Sequence, residues 1–251
     1  MFTREGITLV VQNAVKIQLE KNGFVLDITN EYNKYIKRYA WGYDCCFLPH
    51  VRFLSEHINF NLCIDRRVNF IEEIWQEWRA LINVNIESPN DITTLYITEK
   101  NAYPEIVNKK YFDGYGSFIF EISEKGLDTI KEIIENVFND KIILKLQELR
   151  DLKSVDKLIN SDLDSPQNVN EIFNVDGAFM FKRMIIAKIT GNEIYEDMCQ
   201  LFVSRFNKID EIAKTPGKEY YLNYPIVFEK VYQRLKSVMP LQNTLLSGDV
   251  I

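Results

Sequence analysis

The chain is short of the residues that usually announce chemistry. It has two histidines, four cysteines, ten glycines and seven prolines in 251 residues. Two of the cysteines, Cys45 and Cys46, are adjacent, so the set does not read as the disulfide framework of a small extracellular domain. The paired Cys-x-x-Cys of a structural zinc site and the His-Glu-x-x-His of a zinc protease are both absent. So is the Gly-x-Ser-x-Gly elbow that presents a serine nucleophile. Gly114-Tyr115-Gly116 begins like a phosphate loop, but no third glycine follows and no Lys-Ser/Thr closes it. Positive charge is not in excess: the net charge is -6, which argues against a dedicated nucleic-acid binder needing a basic surface. Nor is there a long apolar run. No stretch approaches the ~20 residues of a membrane helix, and the Leu9-Val10-Val11 run near the start is too short for a secretory leader. The expectation is a soluble, reduced, cytoplasmic protein with no cofactor, no metal and no legible catalytic residue.

What is present is core material. The chain is 46% hydrophobic with 16 Phe and 13 Tyr, and 26% of it is charged, near the globular norm. The most ordered pattern runs from Cys46 to Ile64. There apolar residues alternate on both sides of Ser55-Glu56, the period-2 mark of strands buried on one face. A hairpin turning at Ser55-Glu56 would set Arg52 opposite Asn59, Phe53 opposite Ile58, Val51 opposite Phe60, His50 opposite Asn61 and Asp44 opposite Arg67. Phe47, Val51, Phe53, Ile58, Phe60, Leu62 and Ile64 would share the buried face. His50, Arg52, His57, Asn59 and Asn61 would share the other. Pro49 cannot donate to a ladder, so the strand should lie at an edge or bulge there.

The remaining elements follow in order. Apolar spacing predicts a helix over 6–22, with Ile7, Val11, Val15 and Leu19 forming a stripe widened by Val10, Ala14 and Ile17. Gly23 stands at its C-cap, with Phe24 folding back. Strands are predicted over 33–41 (at an edge or with a solvated face, from its charges), 92–98 and 115–122, the last covered on both faces as in a central strand. Asn69 reads as an N-cap with Glu72 completing a capping box, ahead of a helix ending near Asn83. Ser123 reads as the cap of a helix striped by Leu127, Ile130, Ile133, Ile134 and Val137. Further helices are expected over 140–149, 154–159, 177–189, 193–213 and 225–239. A polar linker spans 160–170, a turn covers 88–91, and a loose tail follows Pro240. This is an α+β protein: an antiparallel or mixed sheet of about five strands packed on helices, then an all-helical C-terminal lobe. The expected division is a sheet domain over 1–160 and a helical lobe over 161–251.

Few constellations could carry chemistry. His57 and Cys63 share strand parity but stand six residues, roughly 20 Å, apart along a strand. Cys46 and His50 stand roughly 13 Å apart by the same count. The acidic run at 162–166 lacks the glycine and the glutamate of a calcium loop. Trp75 and Trp78 are spaced to pack into a core. Tyr220, Tyr221 and Tyr224 suit either partner contact or packing over the last helix. There remain His50, Arg52, Asn59 and Asn61, four hydrogen-bonding side chains on one hairpin face, as the candidate binding patch.

Gly126–Ile159, the Asn22-Gly23-Phe24 helix end and Ala187–Met198 resemble corresponding segments of a broad group of uncharacterised bacterial proteins. Some relatives of that group look like immunity proteins that bind a cognate toxin. The resemblance implies no activity. The favoured reading is a non-catalytic, immunity-like binding protein using its negative surface and the hairpin face, its acidic balance speeding encounter with a basic protein partner. The alternative is a small hydrolase or ligand-binding enzyme using His50, Arg52 and Asp44 beside the hairpin.

Overall fold

The computed structural model describes residues 3–28, 34–82, 93–106, 109–161, 163 and 179–248. The chain forms two compact units, one of Met1–Arg66 with Tyr96–Glu148, the other of Arg67–Leu95 with Leu149–Gly248. They cut the chain differently from the division expected near residue 160, because 67–95 and 149–160 group with the C-terminal helices.

The first unit opens with helix α1 (Arg4–Lys21), capped by the Thr3 hydroxyl, which accepts from the Gly6 N–H. Gly23, at φ 81, ends it: its N–H bonds the Glu20 carbonyl and the Phe24 N–H bonds that of Leu19, the paired closure that a left-handed glycine permits. Ile7, Val11, Ala14, Val15 and Leu19 are buried as expected, but Val10 and Ile17 are exposed, so the stripe is narrower than predicted. Gln18 takes a buried place, and its side-chain oxygen accepts from Asn139.

Strands β1 (Val25–Asp27), β2 (Lys34–Tyr39), β3 (Gly42–Phe47), β6 (Cys63–Val68) and β7 (Leu95–Thr98) form a five-stranded antiparallel sheet in the order β1-β2-β3-β6-β7. The predicted strand at 33–41 is not at an edge; β1 flanks it, Val25 pairing with Ile36 and Asp27 with Lys34. A second sheet joins β4 (Arg52–Phe53), β5 (His57–Phe60) and β8 (Phe118–Glu121) in that order. The long hairpin over 46–64 is therefore corrected. Its register holds where it forms, Arg52 opposite Asn59 and Phe53 opposite Ile58. It does not continue to Val51 and His50, because the chain changes sheets at Pro49 and again at Asn61-Leu62. Asp44 faces Arg66 rather than Arg67: its carboxylate takes Nε at 2.6 Å and Nη2 at 2.8 Å.

That ion pair is buried on both sides. The guanidinium also donates to the Leu146 carbonyl at 2.8 Å and lies over the Trp41 ring. The Tyr39 hydroxyl donates to the second Asp44 oxygen. Strand β8 is an edge of its sheet rather than a central strand, though the Ile119 N–H reaches the Tyr111 carbonyl and Phe112 bridges to Phe118. Phe60, Phe118 and Phe120 stack beneath it.

Ser123 caps helix α4 (Glu124–Val137) as predicted, accepting from the Gly126 N–H. A π-helical turn at Phe138–Ile142 carries the helix straight into α5 (Ile143–Glu148), so 140–149 is no separate segment. Helix α1 packs on α4.

In the second unit helix α2 (Asn69–Trp75) runs on as a 3-10 turn over Gln76–Ile82. Asn69 is not its cap. Asn69 is the first helical residue and accepts from Arg67, while Glu72 is fully buried instead of reaching back. Glu72 takes hydrogen bonds from Thr94 at 2.6 Å and Trp75 at 3.0 Å, with the Lys182 ammonium at 3.8 Å. Helices α6 (Leu152–Asn160), α7 (Phe179–Thr190), α8 (Tyr195–Phe206), α9 (Ile209–Ala213) and α10 (Tyr224–Leu235) complete the unit. The single helix predicted over 193–213 thus breaks after Phe206. Helix α7 is buried on nearly every face, as its apolar run RMIIAKI demands. The tail after Pro240 is pinned rather than loose: Leu241 bonds Ile189, Thr244 bonds Asp151, and Leu246 bonds Arg150. The turn at 88–91 and most of the linker at 160–170 lie outside the described residues.

Two substitutions test these contacts. Asp44→Ala leaves the Arg66 guanidinium buried without its carboxylate and should cost about 3–5 kcal/mol in urea unfolding. Gly126→Ala should also destabilise, although helix propensity alone favours alanine by about 1 kcal/mol. A Cβ there would stand 2.2 Å from the Glu121 carbonyl oxygen, so unfolding measurements should show a loss rather than a gain.

Candidate functional site

The hairpin turn closes on Ser55-Glu56, with the Leu54 N–H on the His57 carbonyl at 2.8 Å. From it the four patch residues diverge. His50 and Arg52 are exposed, His50 beyond the end of β4 and Arg52 on it. Asn59 is buried, and its amide donates to Asp113 Oδ2 at 2.8 Å. Asn61 donates to Glu99 Oε1 at 3.0 Å and to Ser117 Oγ at 2.9 Å. Two of the four are therefore engaged by internal partners, and these partners form the most distinctive polar cluster of the first unit.

Its centre is Glu99, the first residue of the short helix α3 (Glu99–Ala102), which Thr98 and Asn101 cap reciprocally. The carboxyl is fully buried and takes the Leu62 N–H on its second oxygen at 3.2 Å. Burial pushes its pKa up to about 7, against the pull of the Asn61 and Leu62 donors and with a push from Asp113. Asp113 is held differently: it takes Asn59 on one oxygen and the Tyr115 and Ser117 N–H groups on the other. Around Glu99 stand Cys46 and Cys63, both pushed well up by burial. Such thiols stay protonated at neutral pH and are poor nucleophiles. Tyr96 hydrogen-bonds Cys63 and is likewise raised by burial. Among the described residues, no three His, Cys, Asp or Glu side chains lie close enough together to hold a metal ion. What the cluster can do is store or release a proton near neutral pH. Sequence reading missed Glu99, Asp113 and Ser117. Only the Gly114-Tyr115-Gly116 run lay beside any of them, and it said nothing of contact with Asn59 or Asn61.

A second feature lies at the other end of the five-stranded sheet. Strand β1 has β2 as its one neighbour among the described strands. Val25, Leu26 and Ile28 are exposed there, Ile28 by 86% and Val25 by 67%. They rim an open groove of about 330 Å³ floored by Ile36 and flanked by Lys37 and Arg38. In the second unit the tyrosines pack rather than project. Tyr220, Tyr221 and Tyr224 stack on one another, Tyr224 is buried, and it meets Phe181. Trp75 is fully buried, while Trp78 is half-buried beneath Lys230.

No protein-family profile, no curated protein and no solved structure matches the chain. Among the described residues no helix is long and apolar enough to cross a membrane.

The raised Glu99 pKa has a definite sign in stability. The folded chain binds this proton more tightly than the unfolded chain, so the contribution is complete below about pH 4.5 and is lost as pH rises through about 7. A shift of this size corresponds to about 3 kcal/mol. Urea unfolding should give a lower free energy at pH 8 than at pH 5, and Glu99→Gln should remove most of that slope.

Proposed function

We propose that the chain is a non-catalytic protein-binding module that takes an extended segment of a partner along the outer edge of β1. The exposed apolar rim of the β1 groove carries this reading. A strand paired on one side offers backbone donors and acceptors to an added strand, and pockets beside it select side chains. Val25, Leu26 and Ile28 supply the apolar contact there, and clustered exposed apolar side chains mark interaction surfaces. The net charge of -6 favours approach by a basic partner, in keeping with the resemblance to immunity proteins.

The enzyme alternative draws less support. His50 is exposed, and Asp44 is buried in its pair with Arg66, so the three residues of that scheme do not gather. Glu99 has a pKa raised to about 7 but no exposed surface through which a substrate could reach it.

The test is affinity capture from the native host with four baits: the unmodified chain, Val25→Asp/Ile28→Asp, Arg52→Ala, and Leu144→Asp as an exposed control. At least one protein should be recovered by the first, third and fourth baits and lost with the second. Recovery unchanged by the β1 substitutions would end the proposal, and loss with Arg52→Ala instead would move the contact to the hairpin.

A further inference from the structure

The outer edge of β1 has the chemistry to meet a copy of itself. Val25-Leu26-Asp27 pairs with β2 without a break, Val25 opposite Ile36, Leu26 opposite Tyr35 and Asp27 opposite Lys34. The strand carries no proline, lysine or bulge, the devices that keep an edge from accepting another strand. Side chains alternate between the faces of a sheet. Val25 and Asp27 therefore share a face with Lys34, Ile36 and Arg38, while Leu26 lies on the other with Tyr35 and Lys37. On the first face Arg38 reaches along the rim to Asp27 at 3.6 Å and stays half-exposed. An apolar side chain, a carboxylate and a guanidinium thus stand side by side on one rim.

We propose that, in the free protein, the strand added to β1 is β1 of a second copy, the two related by a two-fold axis through Leu26. This rests on the reading of β1 as a strand-accepting edge. An interface about a two-fold axis has to be complementary to itself, and that selects the register. Centring the pair on Asp27 sets two carboxylates opposite each other, which destabilises a ladder. Centring it on Val25 carries the pairing into Asn22, the C-cap of α1. Centring it on Leu26 sets leucine against leucine and Val25 against the second copy's Asp27. That carboxylate then lies in the row of Val25 and Ile36, beside the row of Arg38, and the axis repeats the relation on the other side. Acid meets base and apolar meets apolar along one short seam. Val25 and Ile28, the most exposed apolar side chains of this edge, are covered by the other copy. The net charge of -6 on each copy opposes approach, but exposed charges farther apart than ~10 Å are largely screened at moderate salt. A foreign strand would compete for the same edge.

Sedimentation of the intact chain tests it. A pairing of so few residues is a small interface of the weak class, so the weight-average mass should rise with concentration between ~10 μM and ~1 mM. Asp27→Arg and Arg38→Asp should each weaken self-association by about tenfold or more, since each brings like charges together along the seam. Mixing the two variants should restore it, because opposite charges then face each other again. A contact confined within each copy would gain nothing from mixing. Hydrogen exchange of the unmodified chain needs no variant: amides among residues 25–28 should gain protection as concentration rises, while that of Val15 in α1 stays unchanged. A monomer and flat protection across the whole range, indifference to both substitutions, or no restoration on mixing would overturn the second copy as occupant. If partner capture is then still lost with Val25→Asp/Ile28→Asp, the edge takes a different strand. If neither capture nor self-association responds to that double substitution, the strand-accepting edge fails as well.

Discussion

The buried pairing of Asp44 with Arg66 is the constraint around which the first unit is arranged. A guanidinium removed from water needs both a carboxylate in fork geometry and an acceptor for its remaining N–H groups. Asp44 on β3 supplies the first and the Leu146 carbonyl the second. β3 and β6 must therefore lie side by side, with α5 at a fixed height against them. Between these strands the chain leaves their sheet. It forms the small second sheet instead.

Glu72 and Glu99 show two ways of burying a carboxylate. In the second unit Glu72 has the Lys182 ammonium nearby and two uncharged donors on its oxygens. That arrangement holds α2 to α7. Glu99 is set among another carboxylate, two thiols and a phenol. Burial raises its pKa against the pull of the donors on its oxygens.

The outer surface divides along similar lines. Hydrogen-bonding side chains that the strand pattern assigns to solvent, Asn59 and Asn61 among them, are partly turned to internal partners. Apolar side chains at β1 and on one side of α1 face outward. Recognition by strand addition uses backbone groups for adhesion and a few apolar side chains for selection, so it leaves little trace among polar residues.

Local signals were legible wherever the deciding forces were local. The Gly23 helix end, the Ser123 cap and the Ser55-Glu56 register follow from backbone sterics, capping and period-2 burial, all carried by neighbouring residues. The class of fold follows from them. Tertiary packing decided what depends on residues far apart in the chain: where strands change sheet, which arginine Asp44 meets, why Glu72 abandons a capping role for a buried one, and which carboxyl lies behind Asn61. Burial of a charged or amide group is settled by the partners that distant segments bring to it, and no window of neighbouring sequence contains them.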